Sequence, residues 1–182
     1  MALVKSKMVE LGSLAPNFEL LDVVTNQQVS LSKGKKATLV MFICNHCPYV
    51  KYLFNGLVSL GKDYQGEQVQ IYAISSNDVK NYPEDSPEKM KELALEKGFN
   101  FPYLYDPTQG IAKSYMAQCT PDFFLYDSNL ELIYRGQFDD SSPGKDIEVS
   151  GKDLRAAIDA CISGDKPSSE QIPSMGCSIK WV

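Results

Sequence analysis

The chain has 182 residues, 43% apolar and 23% charged, with 18 basic against 23 acidic side chains and a net charge of −5. That length and balance describe one globular domain with added segments and exclude a disordered chain. A negative surface without Arg/Lys clusters excludes nucleic acid as a partner, and no stretch reaches the about 18 consecutive apolar residues of a membrane span.

The opening MALVKSKMVELGS holds an apolar run of only four residues. A secretory signal needs about 7 to 15, so a cytoplasmic location is expected. In APNFELLDVVTNQQVSLSKGKK, alternation around Phe18 and Leu20, and again around Val29 and Leu31, predicts an N-terminal β-hairpin turned at VTNQQ. ATLVMFI follows as a continuous apolar run, the pattern of a central strand buried on both faces. From Pro48 the period changes: Val50, Leu53, Phe54, Leu57, Leu60 and Tyr64 describe an amphipathic helix ending near Gly66. VQIYAIS reads as a second buried strand.

Ser86-Pro87 places a cap before a proline at the first helical position, with Gly98 as the stop. Asp106-Pro107 repeats the device. Pro83, Pro87 and the acidic residues between them read as a solvent-exposed connection. Asp122–Tyr126 and Leu130–Tyr134 flank Asp127-Ser128-Asn129 as a hairpin. Asp139 and Asp140 read as a solvated loop. Leu154, Ile158 and Cys161 share the core face of a last helix that stops at Gly164, and the remainder reads as an irregular tail leaning on the domain through Ile179 and Trp181. The order predicts an α/β fold with a mixed sheet and helices on both faces, one domain over 1–164 and a tail over 165–182 packed on or near it.

Five cysteines are few for a disulfide scaffold, and their number is odd. Cys44-Asn45-His46-Cys47-Pro48 lies where the central strand ends and the first long helix begins. Free backbone N–H groups and the positive end of the helix dipole favour a thiolate there. Cys44 is expected to attack a partner disulfide and Cys47 to displace the reduced product, with Asn45 and His46 tuning the pair. The partner is a thiol or disulfide protein or a low-molecular-weight thiol. Zinc is the competing use of such a pair, but a structural site needs four protein ligands and no second CxxC is present, so no metal is expected. GKK lacks the spacing of a phosphate loop, and no cofactor is called for.

Cys119-Thr120-Pro121 precedes the apolar run DFFLY. A cis bond at Pro121 would turn the Thr120 backbone outward, able to pair with an extended substrate beside the sulfurs. Cys119 and, in the tail, Cys177 are further candidates for exchange with the pair.

These residues resemble the thioredoxin-like superfamily, in its alkyl hydroperoxide reductase/thiol-specific antioxidant (redoxin) branch. The match runs through GSLAPNFELLDV, VSLSKGKKATLVMF, FICNHCPYV, CTPDFFLYD, LIYRGQFDD and GCSIKW, nearly the whole chain. The resemblance implies a thioredoxin-like fold, a cis Pro121, an attacking Cys44 and a resolving Cys47. The bridge departs from the usual Gly-Pro, and isoleucine replaces the tryptophan before the first cysteine. Aligning Cys47-Pro48 with the peroxidatic pattern of the branch puts Cys44 where a threonine or serine stands, which leaves the division of roles open. A thiol is a weaker donor than the missing hydroxyl, which favours disulfide exchange over the alternative, reduction of hydroperoxides.

Overall fold

The computed structural model describes residues 2–182. In chain order the elements are β1 (Leu3–Lys5), β2 (Glu19–Asp22), β3 (Gln27–Ser30), β4 (Ala37–Phe42), α1 (Pro48–Tyr64) and β5 (Val69–Ser75). A single 3₁₀ turn (Pro83–Asp85) leads to α2 (Pro87–Lys97), β6 (Tyr103–Tyr105), α3 (Gly110–Ser114), β7 (Cys119–Thr120) and β8 (Asp122–Tyr126). The chain closes with β9 (Leu132–Gly136), α4 (Lys152–Ser163) and β10 (Met175–Ser178).

Seven strands form the central sheet in the order β3-β2-β6-β5-β4-β8-β9. The pairs β4–β5 and β5–β6 are parallel and the remainder antiparallel, so the sheet is mixed, flanked by helices as expected. β4 is buried at every position, and alternate side chains serve two cores: Leu39 and Met41 on the face of α1 and α4, Val40 and Phe42 on the other. Val50, Leu53, Phe54, Leu57 and Leu60 are the buried stripe of α1, and burial of such side chains contributes about 1.5–3 kcal/mol each. Among the described residues, no helix is long and apolar enough to cross a membrane.

Ser86 caps α2 by accepting the Lys89 N–H, and Gly98 ends it in the left-handed region at φ 72°. The helix after Asp106 starts later than the Asp-Pro signal predicts. Pro107 and Thr108 form a turn first, and the Asp106 carboxylate reaches forward to accept the Ile111 and Ala112 N–H groups at 3.1 Å. Three elements carry no periodic signal. β6 is three residues long, held by β2 on one side and β5 on the other. β1 and β10 join β7 in a separate three-stranded sheet in the order β1-β10-β7.

The tail is therefore not irregular throughout. Ile179 is buried as expected, whereas Trp181 is 41% exposed. Cys161 is half-buried at the edge of the core, donating to the Lys36 carbonyl. Asp139 is no solvated residue: it is buried, and its carboxylate accepts the N–H groups of Ser141, Ser150 and Gly151, fixing the entry to α4.

Candidate active site around Cys44 and Cys47

β4 delivers the chain to the site, and the Ile43 N–H still bonds the Ile74 carbonyl of the neighbouring strand at 3.0 Å. Pro48 then opens α1 at a position where its missing N–H costs nothing, which makes Cys47 the N-cap residue, with extended backbone at φ −66° and ψ 123°. Cys44 and Cys47 are 1% and 0% exposed, both as free thiols. Opposite them the Thr120–Pro121 peptide bond is cis. Thr120 faces both sulfurs, with its hydroxyl 3.3 Å from Cys44 Sγ and its carbonyl 3.1 Å from Cys47 Sγ.

The acidity of the pair runs opposite to expectation. Cys47 is lowered to about 4: the Cys44 thiol donates to it first, burial opposes, and the Cys177 thiol and the N–H groups of Val50 and Cys177 add to the donation. Protonated, Cys47 donates to the Thr120 carbonyl. Cys44 is pushed well above the ordinary thiol value by burial, by its bond to Cys47 and by the negative charge of Asp85. The helix N-terminus acts on the residue that caps it, and that residue is the second cysteine.

The two bridge residues are folded onto Asp85, a residue the sequence places in an exposed connection. Its carboxylate is wholly buried and accepts the Asn45 N–H at 2.8 Å, the His46 N–H at 3.2 Å and Asn77 Nδ2 at 2.8 Å. His46 Nδ1 lies 2.5 Å from Asp85 Oδ2. Burial raises the Asp85 pKa, but the bonds from His46 and Asn77, the attraction of the His46 ring when it is protonated and the Asn45 N–H lower it further, so the group is a carboxylate. Asn45 also donates to the Glu84 carbonyl, and Tyr103 donates to its side-chain oxygen. His46 is not an exposed bridge residue: its side chain is 10% exposed, its ring stacks on Tyr82 at 5.0 Å, and its Nε2 is buried without a partner. Nothing in the local pattern Pro-Glu-Asp marks Asp85; its role follows from where the loop after β5 passes.

Cys44, His46 and Asp85 bring donor atoms within 4.8 Å of one another. Their arrangement is that of a hydrogen-bonded dyad beside a sulfur. Two ligands of one tetrahedral zinc lie roughly 3.3 Å apart for bonds of about 2.0 Å, and His46 Nδ1 and Asp85 Oδ2 are closer than that.

The outward edge of Thr120, where an extended substrate would pair, is taken by the chain's own tail. Cys177 of β10 is in register with Thr120, and Ser178 with Cys119. Gly176 makes this approach possible, since a Cβ there would overlap the Thr120 carbonyl. Ser174 donates to the Pro121 carbonyl, and the Lys180 N–H donates to Asn77, the residue that also holds Asp85. Cys177 is thus brought to the pair. Cys119 is fully buried, donates to the Pro121 carbonyl at 3.5 Å, and is pushed up in pKa by burial.

The model of the AhpC/TSA family matches residues 11–135, more than half of the chain. Among solved structures, an uncharacterized conserved protein from Geobacillus kaustophilus is 51% identical over 100% of this chain and 97% of its own, with a TM-score of 0.98. A hypothetical protein from Sinorhizobium meliloti 1021 is 43% identical over 98% of each chain, with a TM-score of 0.95. The thioredoxin domain of a thiol-disulfide oxidoreductase from Bacteroides vulgatus, 22% identical over 71% of this chain and 91% of its own, shares the fold at a TM-score of 0.58. No curated protein matches. The cysteine pair at the start of α1, the cis proline facing it and the family match agree: this chain belongs to the AhpC/TSA family of the thioredoxin-like superfamily and carries its thiol-redox chemistry.

Proposed function

We propose that the protein is a thiol peroxidase that reduces hydroperoxides, with Cys47 as the attacking sulfur and Cys44 as the resolving one. The observation that carries this reading is the acidic, fully buried Cys47 at the N-cap of α1, beside a Thr120 edge already paired with β10. A protein disulfide needs an exposed sulfur and a free strand edge. A hydroperoxide needs neither. The hydroxyl absent before Cys47 is compensated by Thr120, whose Oγ1 reaches the site from another segment, 3.3 Å from Cys44 Sγ.

In the first step the Cys47 thiolate attacks one peroxide oxygen, the O–O bond breaks, and the leaving oxygen takes a proton to depart as alcohol or water. Cys47 is left as sulfenic acid. Cys44 then loses its thiol proton and attacks the Cys47 sulfur; the S–O bond breaks, water leaves, and a Cys44–Cys47 disulfide forms. A ring nitrogen of His46, within 4.8 Å of Cys44 Sγ and oriented by Asp85, is the base that takes this proton. Once Cys47 is neutral sulfenic acid, the charge next to Cys44 is gone, and its thiol ionises more readily. Two equivalents of a low-molecular-weight thiol, or one dithiol protein, restore the reduced pair.

Rapid mixing of reduced protein with hydrogen peroxide and, separately, with a protein disulfide tests the reading, with products mapped by mass spectrometry. Fast sulfenic acid at Cys47 followed by the Cys44–Cys47 disulfide is expected. Slow peroxide consumption with rapid capture of the protein disulfide on Cys44 would overturn it in favour of disulfide exchange.

A further inference from the structure

We propose that Asn77 is a positioning residue for the resolving step: its amide ties the His46–Asp85 dyad to the end of β5 and to the chain's tail, and so holds the ring that takes the Cys44 proton. The inference rests on the peroxidase reading, in which Cys44 attacks the Cys47 sulfenic acid, and names a residue which that reading does not use.

An ionised carboxylate only accepts hydrogen bonds, through about four lone-pair positions on its two oxygens. In Asp85 each oxygen has two donors. Oδ1 accepts the backbone N–H groups of Asn45 at 2.8 Å and His46 at 3.2 Å, and Oδ2 accepts His46 Nδ1 at 2.5 Å and Asn77 Nδ2 at 2.8 Å. The donors from Asn45 and His46 belong to the bridge between the cysteines and move with it. Asn77 alone of these donors comes from elsewhere: it follows β5, which ends at Ser75, and its side chain is buried.

The amide can face only one way. Asp85 must be met by a donor, and the Lys180 backbone N–H, 2.8 Å from Asn77 Oδ1, must be met by an acceptor. Lys180 is itself pinned, because its carbonyl accepts the Asp78 N–H at 2.8 Å and Gln109 Nε2 at 2.7 Å. The tail therefore fixes Asn77, Asn77 fixes Asp85, and Asp85 fixes the imidazole.

The resolving step gives this chain of bonds a purpose. His46 takes the Cys44 thiol proton, the Cys44 thiolate attacks the Cys47 sulfur, the S–O bond breaks, and the departing hydroxide leaves with that proton as water. Throughout, the ring must keep its own proton on Nδ1. The Asn77 bond favours the charged form of Asp85 and makes Oδ2 a weaker base, so the Nδ1 proton stays on the ring and does not pass to the carboxylate.

The test is rapid mixing of reduced full-length wild type, N77A, N77L, D85A and the N77A/D85A double variant with hydrogen peroxide, with Cys47 sulfenic acid and the Cys44–Cys47 disulfide followed by mass spectrometry of quenched samples. N77A and N77L are expected to slow disulfide formation about tenfold relative to the first oxidation, the scale of one hydrogen bond to a charged group. N77L fills the vacated space, so a loss common to both variants is not a cavity effect. In the D85A background N77A is expected to cost nothing more, because Asn77 acts through Asp85. His46 is the only histidine in the chain, so its Nδ1 proton gives a single assignable downfield signal in proton NMR spectra. N77A and N77L are expected to broaden that signal through faster exchange with solvent. An unchanged resolution rate or an unchanged signal in N77A and N77L, a loss that adds to that of D85A, or failure of both single variants to fold would overturn the inference and leave the peroxidase reading standing. Absence of Cys47 sulfenic acid from peroxide-treated wild type would overturn both.

Discussion

Asp85 Oδ2 sits 2.5 Å from His46 Nδ1, and the same carboxylate accepts the backbone N–H groups of Asn45 and His46. One buried side chain from a loop therefore shapes the whole bridge between the two cysteines. Asp85→Ala leaves two N–H groups and an imidazole without their acceptor, and each unsatisfied buried group costs about 1–3 kcal/mol. We expect a loss of about 3 kcal/mol in chemical denaturation, and slower conversion of Cys47 sulfenic acid to disulfide in rapid-mixing experiments. An unaltered resolution rate would remove His46 and Asp85 from that step.

The pH dependence has a definite sign. Asp85 is held below its ordinary value of 3.8, so its contribution to stability is fully present above that pH and is lost as pH falls through the folded-state pKa. Thermal unfolding of wild type should therefore weaken on acidification below about pH 4, and Asp85→Asn should flatten that part of the profile. Parallel profiles for the two proteins would contradict the assignment.

For the sulfurs, Cys47→Ser should reduce the second-order rate with hydrogen peroxide by at least about a hundredfold, to the background of the remaining thiols. Cys44→Ser should keep the first oxidation within about tenfold of wild type but stop multiple turnover, with Cys47 trapped as sulfenic or sulfinic acid. Stopped-flow kinetics with mass mapping separates the two variants. The opposite pattern, with Cys44 indispensable to the first step, would restore Cys44 as the attacking sulfur.

Gly176→Ala places a methyl group against the Thr120 carbonyl. Something must shift, and Thr120 leads directly into the fully buried core strand β8, so β10 should be the one to lift from the Thr120 edge. A cost of about 1–3 kcal/mol is expected, together with faster labelling of Cys47 by a bulky aromatic disulfide. Slower or unchanged labelling would mean that β10 does not cover the pair.

Directly after the cis proline, Asp122 forms a buried ion pair with Arg135, whose guanidinium also lies 3.8 Å over the Phe124 ring. Asp122→Ala strands a buried positive charge and should destabilise the protein by about 3–5 kcal/mol in urea unfolding. Replacing both partners by apolar residues should recover most of that loss. Failure of the double variant to recover would point to a role of the pair beyond neutralising each other.

Much of the fold is written locally. The run Ala37–Ile43 is apolar at every position but Thr38 because both faces of β4 are covered, and the three-and-four spacing from Val50 to Leu60 is the stripe that α1 buries. Ser86-Pro87 and Gly98 mark the ends of α2 because capping is decided by residues next to each other in the chain. The cysteine pair, its place between strand and helix, and the proline opposite it are legible for the same reason. What the tertiary structure decided concerns groups distant in sequence. Asp85 meets the bridge 39 residues after His46, and its burial reverses the exposed reading that its acidic, proline-bounded surroundings give. Cys177 comes to lie opposite Thr120, beside the pair, only because β10 pairs with β7, a strand of two residues with no periodicity to announce it. The order of acidity of the two cysteines depends on those same distant donors and on burial. Local spacing sets which residues stand at the helix start, but the free energy of a charge there depends on every group the fold packs around it.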